Sequence, residues 1–403
     1  MIIYRIISKG TRMKFIILLV SIFYLAHGVD ESKQVQTNHP MQDTHDTHKL
    51  LQQMQANIKT YLYQTPLSSY EYFDKKSAKL QSQSLITWIH GDIYLKTLAV
   101  GEEPYIRATL NDGQSTHLGD YRYDMFTLLS DLLLKMQEDS DFSGSKEKAI
   151  LNTLVDGYFD KLKNSKQECP CIDDALVETK KSELLFQYTK IRDKNRYFKM
   201  GFEGLSKVDK KNTNSIKKEM NRYFSKFKLL PLKDIAIDRY GNYMLLCEGK
   251  SKSAHDDMIF TLSASTLPIS YYINSKMKKK YLNKSRLQKK KAVSSFNQTQ
   301  YAGSVKINNQ DFFVDKLNPT LQLNPNSEDT SAYKKYASAL GYMLASFHSN
   351  PSLKSCKSFS EKVNTQVKPR VVKTEIISMV YAYNETLESK WESFTDKELL
   401  SLK

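Results

Sequence analysis

The chain has 403 residues, with 60 Lys and Arg against 44 Asp and Glu and a net charge of +16. Its 40% apolar content, 25 tyrosines and 18 phenylalanines exclude a disordered chain, and the length suits one large two-lobed domain or two medium ones. The basic balance favours anionic partners such as acidic proteins, anionic membrane surface or nucleic acid and carries no information on fold; a lysine-rich composition also arises without any binding role.

Residues 1–28 read as a secretory signal. Arg5, Lys9, Arg12 and Lys14 precede an apolar run from Phe15 to Leu25, and Ala26-His27-Gly28 supplies small residues before a cut. Met13 is an alternative start, and an uncleaved anchor is the alternative fate, although the run is short for a membrane span. The expected location is therefore periplasmic or extracellular. Residues 29–48 are polar and read as a disordered lead. His39, His45 and His48, with Asp43 and Asp46, have metal-binding chemistry but no apolar framework, which favours a solvated tail.

The remainder, 49–403, reads as one domain. Leu50 to Tyr63 has the spacing of an amphipathic helix. A short apolar run, Leu85 to Ile89, ends in His90-Gly91-Asp92, and a second strand, Tyr105 to Leu110, ends in Asn111-Asp112-Gly113. Asp120 and Asp124 then open an apolar helix carrying Met125, Leu128, Leu129, Leu132 and Leu133. Carboxylates at the ends of two neighbouring strands suit phosphoryl transfer, where one orients the attacking oxygen and another holds a metal on the phosphates. Asp-Gly and Asn-Asp-Gly are also ordinary turn signals, and spacing alone leaves both readings open.

Lys148 to Leu162 is a second apolar-faced helix, and 174–228 looks helical and highly charged. Cys169, Cys171, Cys247 and Cys356 form an even set that permits disulfides in an exported chain; with no metal-ligand spacing nearby, a structural role or free thiols is the favoured reading. Arg239 to Gly249 and Met258 to Leu262 read as strands joined by a polar hairpin. Lys276 to Lys291 holds nine basic residues in sixteen, with Tyr281, Leu282 and Leu287 as thin apolar contact. Such a run binds anionic lipid headgroups or is simply a solvated helix face; with one interleaved aromatic it is a poor nucleic-acid module. Asp311 to Leu317 is a strand, and Tyr333 to His348 and Val371 to Phe394 are helices. His348 stands either near the active lobe or as a satisfied core histidine.

The stretch around His90 resembles the bacterial family known as domain of unknown function 2252, a relative of aminoglycoside phosphotransferases and other kinase-like proteins. Its motifs are H/C-G-D-x-H-x-x-N, then N-D-F-D-E, then an Asp opening a helix. His90, Gly91 and Asp92 match the first, Asn111 and Asp112 the second, and Asp124 the third. Further matches are Arg239-Tyr240 to the end of a glycine-loop motif, Gly341 to His348 to G-x-L-L-A-R-A-H, and Tyr381 to Phe394 to the terminal helix. The likeness is diffuse over 55–395. It implies an α+β, permuted kinase-like fold of two lobes, helix-rich with a small antiparallel sheet. The implied parts are a catalytic-loop part at 80–230, a nucleotide hairpin at 231–325 and C-terminal helices at 326–403. It further implies Asp92 as the catalytic base, His90 as a brace of its loop, Asp112 as the metal ligand, Arg239 and Tyr240 on the nucleotide side, and Mg²⁺ and ATP as cofactors.

Several functional positions depart from that pattern. No glycine precedes Arg239 in KDIAID, Ser263 stands where the phosphate lysine belongs, Thr97 replaces Asn, and Gln114 replaces the second metal-motif Asp. Asp74 and Asp315 stand where arginines are usual. The favoured expectation is an exported kinase-like pseudoenzyme that binds a small molecule or protein partner. The alternatives are a metal-dependent phosphotransferase acting on a small molecule, and a protein that binds anionic surfaces through 276–291.

Overall fold

Two periodicities dominate the chain, and each builds its own core. The computed structural model describes residues 51–101, 107–111, 113–139, 142, 144–164, 176–178, 181–192, 195–227, 231–238, 241–249, 251, 256–297, 301–319, 321–323, 329–350, 353, 356 and 358–401. The leader, the polar lead, Asp112, Cys169, Cys171, Arg239 and Tyr240 lie outside the described residues.

Helices α1 (Ile58–Gln64) and α2 (Pro66–Lys76) lead to strand β1 (Ile86–Ile89), strands β2 (Leu98–Gly101) and β3 (Arg107–Leu110), and strand β4 (His117–Asp120). Helices α3 (Tyr121–Asp139) and α4 (Gly144–Lys163) follow, then β5 (Leu176–Glu178), α5 (Lys181–Tyr188), β6 (Thr189–Arg192), β7 (Asn195–Phe198), β8 (Ser206–Lys207) and α6 (Lys210–Ser225). Strands β9 (Leu232–Ile237), β10 (Tyr243–Cys247) and β11 (Met258–Ala264) precede α7 (Ile269–Ile273) and α8 (Ser275–Asn297). The chain continues with β12 (Gly303–Ile307), β13 (Gln310–Lys316), β14 (Leu321–Leu323), α9 (Thr330–His348), α10 (Phe359–Gln366) and α11 (Pro369–Ser401).

The class is α+β. Six strands form an antiparallel sheet in the order β12-β13-β11-β10-β9-β8. Alternation sends β10 side chains to two faces. Tyr243, Leu245 and Cys247 join Ile216, Met220 and Phe224 of α6, while Met244 and Leu246 join Phe198, Leu205 and Ile259 on the other side. Both faces are thus covered, and β10 is buried along its whole length.

The second core is helical. Met125, Leu128 and Leu132 of α3, Ile150 and Leu154 of α4, Leu340 and Leu344 of α9 and Ile376 and Val380 of α11 share one cluster. Helices α4 and α9 meet backbone to backbone. A Cβ added at Gly341 would stand 2.0 Å from the Leu154 carbonyl oxygen, and one at Gly157 would stand 2.7 Å from that of Ser338. Two glycines across the crossing therefore let the helices approach more closely than any side chain permits.

Four expectations change. The helix expected over 50–63 is interrupted at Asn57, whose carboxamide oxygen accepts from the Thr60 N–H and starts α1 afresh. The charged stretch 174–228 is not one helical region: it contains β5, α5, β6, β7 and β8 before α6. The strands ahead of Asp92 and Asp112 are not ladder neighbours, because β1 pairs with β4 and β3 pairs with β2. On α8, Leu287 is 84% exposed; the helix is seated instead through Ser285, Ala292 and Val293, with Tyr281 and Leu282 half-buried. Cys247 and Cys356 are buried and form no disulfide among the described residues, and the Cys356 sulfur lies 3.3 Å from the Thr87 hydroxyl.

Candidate functional site

Strand β1 delivers His90-Gly91-Asp92 as its chain leaves the ladder, and α3 receives it. Asp120 caps α3 by accepting from the Arg122 N–H at 3.0 Å. One turn on, the fully buried Asp124 turns its carboxylate back to the loop. Its Oδ2 accepts from the His90 N–H at 2.7 Å and its Oδ1 from the Gly91 N–H at 2.9 Å. His348, at the end of α9, donates from Nε2 to Asp124 at 3.2 Å, and its Nδ1 lies 2.9 Å from the Tyr158 hydroxyl. Burial by itself would raise the Asp124 carboxyl, but the His348 hydrogen bond and charge, with His90 and the Gly91 N–H, outweigh it and hold the group below the ordinary value. His348 is thus both a satisfied core histidine and a support of the loop.

Gly91 is required where it stands. Its φ is +80°, and a Cβ there would meet the Ser115 carbonyl and the His117 ring at 2.7 Å. Its carbonyl accepts from the Tyr70 hydroxyl at 3.0 Å. His117, beneath it, donates from Nδ1 to the Ser115 carbonyl at 2.7 Å and lies 2.6 Å from the Ser270 hydroxyl through Nε2. Burial pushes its imidazole down to about 4.

His90 links the two strand ends that the sequence singles out. Its Nε2 donates to the Asn111 carbonyl at 2.8 Å, and its Nδ1 has no hydrogen-bond partner among the described residues. Asn111 is clasped in turn. It donates to the Asn318 carbonyl at 3.1 Å and accepts from the Asn318 N–H at 3.0 Å. On the other flank of Asp112, the Gly113 N–H donates to Asp315 of β13 at 3.3 Å. Asp112 itself lies outside the described residues, but both its neighbours are tied down. Asp92 is half-buried in the loop, and its charge contributes, after burial, to raising the Tyr94 phenol.

The departures from the kinase-like pattern acquire physical content here. The Thr97 hydroxyl accepts from the Tyr94 N–H at 3.1 Å and donates to the Tyr94 carbonyl at 2.7 Å, closing a turn. Ser263 is 3% exposed in β11 and sits opposite Phe313. Asp315, where an arginine was expected, serves the Gly113 turn. The cation beside this turn comes from a different element. Lys289 of α8 turns inward, donates to the Gln114 carbonyl and lies 5.8 Å from the centroid of the Phe313 ring. Burial first, then the charge of Arg286, pushes it down to about 8.

Sequence reasoning overlooked this lysine because it treated the basic run as uniform. The available signal was its position four residues after Ser285 and three before Ala292, on the buried stripe. It also passed over His117 and the Asn111–Asn318 clasp, whose partners are far apart in sequence. Arg239 and Tyr240 lie outside the described residues; next to them in sequence, Asp238 accepts from the Asn242 N–H at 2.8 Å. Elsewhere, Glu248, Asp256 and Asp257 bring carboxylate oxygens within 4.8 Å of one another. Lys233 already stands against two of them, 3.2 Å from Glu248 and 3.0 Å from Asp257.

Comparison with protein-family models, with curated proteins and with solved structures found no match to this chain.

Proposed function

We propose that this chain is an exported, kinase-like binding protein of two lobes, helical core and sheet, in which the phosphotransfer machinery of the family it resembles has lapsed. The observation that carries this reading is Ser263: a short, buried side chain stands in β11 where a lysine would meet the phosphates. Thr97 supports it, since its hydroxyl is spent on its own turn. The ligand would be a small molecule or a protein partner beside the His90 loop. A charge-assisted phosphate contact is worth about 1.5–3 kcal/mol, so losing the lysine alone weakens nucleotide binding by roughly tenfold to a hundredfold.

One observation favours a second reading, a metal-dependent phosphotransferase. Lys289 brings a cation to the turn that follows Asp112. In that reading Asp92 orients the acceptor hydroxyl, Asp112 holds Mg²⁺, His90 braces the loop, and Arg239 and Tyr240 stand on the ATP side. Calorimetric titration with Mg-ATP decides between them, run on the unmodified protein and on Asp112→Asn and Lys289→Met variants. The binding-protein reading expects no saturable heat. Micromolar binding abolished by both substitutions overturns the lapsed-machinery reading and favours the enzymatic one.

A further inference from the structure

Helix α8 is built against expectation for a surface helix: its outward side is cationic with an apolar centre. It contains no acidic residue in 23 positions. Ser285, Ala292 and Val293 are buried against the body of the protein. At 100° per residue, the exposed Lys276, Lys279, Lys280, Lys284, Lys290 and Lys291 fall within about 140° on the opposite side. In the middle of that arc is Leu287, 84% exposed.

We propose that this face of α8 docks on an anionic lipid bilayer, with the six lysines against headgroup phosphates and Leu287 in the boundary between headgroups and acyl chains. The arrangement is that of a helix lying in the interface plane: long basic side chains reach outward to the charged layer while an apolar residue between them enters it. A nucleic-acid backbone would satisfy the lysines and offer Leu287 nothing. None of the helices among the described residues is long and apolar enough to cross a membrane. Because Lys289 on the inner side holds the Gln114 carbonyl, docking through α8 would bring the Gln114 turn close to the membrane surface. The proposal stands independently of what the His90 loop binds.

The test is co-sedimentation of the full chain with phosphatidylcholine vesicles, with and without phosphatidylglycerol. Binding is expected only to the anionic vesicles and should decline with salt. Replacing Lys276, Lys280 and Lys290 together with Gln should weaken it roughly a hundredfold, at about fivefold per lysine. Leu287→Ala should weaken it roughly tenfold. All four side chains are exposed, and circular dichroism melts that match the unmodified protein would verify that the variants fold. Failure of the unmodified protein to sediment with anionic vesicles at low salt overturns the proposal. So does unchanged binding by the lysine variant, or a Leu287→Ala variant that binds vesicles normally while duplex DNA displaces the protein from them.

Discussion

Acid should weaken this protein through His117, the ring beneath Gly91. In the unfolded chain the imidazole has its ordinary value of 6.5, and in the folded protein it sits at about 4. Burial is the largest cause, the Ser115 hydrogen bond and the Asp124 charge oppose it, and Lys289 and His90 add to the lowering. Between the two values the unfolded state holds a proton that the folded state refuses, so stability falls as pH falls. The effect is absent well above 6.5, sets in as the solution passes that value and is complete below about 4. At about pH 5 it amounts to ~2 kcal/mol. Urea unfolding near neutrality and at about pH 5, on the unmodified protein and on His117→Gln, isolates this contribution from the other titrating groups. The unmodified protein should lose ~2 kcal/mol more than the variant over that interval. Equal losses would refute the argument that this buried ring couples pH to the packing of the loop.

Two further substitutions test the frame. Gly341→Ala forces a methyl toward the Leu154 carbonyl, where only 2.0 Å is available; chemical denaturation should show a loss of about 3 kcal/mol. Asp124→Asn keeps the shape but sets an amide N–H₂ either against the Gly91 N–H or against the His90 and His348 donors, with one oxygen left to accept. It should lower stability by about 3 kcal/mol and release the His90 and Gly91 amides to faster hydrogen exchange.

The long helices and the central hairpin were legible because a single pattern governs each. Leu128, Leu132, Leu340 and Leu344 recur at helical spacing and lie in the core, and Tyr243 to Cys247 pairs with Met258 to Leu262 as their apolar runs suggest. The β6–β7 pair was hidden by charge. Its register, Thr189 with Phe198 and Arg192 with Asn195, places Lys and Arg in the strands, and a stretch so charged suggests a helix surface. Within the site, Asp124 was legible as an acid opening a helix. Its task was not, because the amides it holds belong to residues 33 and 34 positions away and its histidine partner to one 224 positions away. Lys289 shows the same limit from the other side: composition marks a lysine run, and only the packing of Ser285 and Ala292 decides which lysine turns in.

The buried carboxylate of Asp124 also bears on how tightly anything could be held at the loop. The His90 and Gly91 amides are bonded to a group on α3, that group is bonded to α9, and Thr87 just upstream donates to the His348 carbonyl at 2.6 Å. The loop therefore opens only when the helical core loosens with it. Its ordering entropy is spent when the chain folds. A ligand arriving at Asp92 would find the backbone already in one conformation, and its affinity would carry no deduction for arranging the loop.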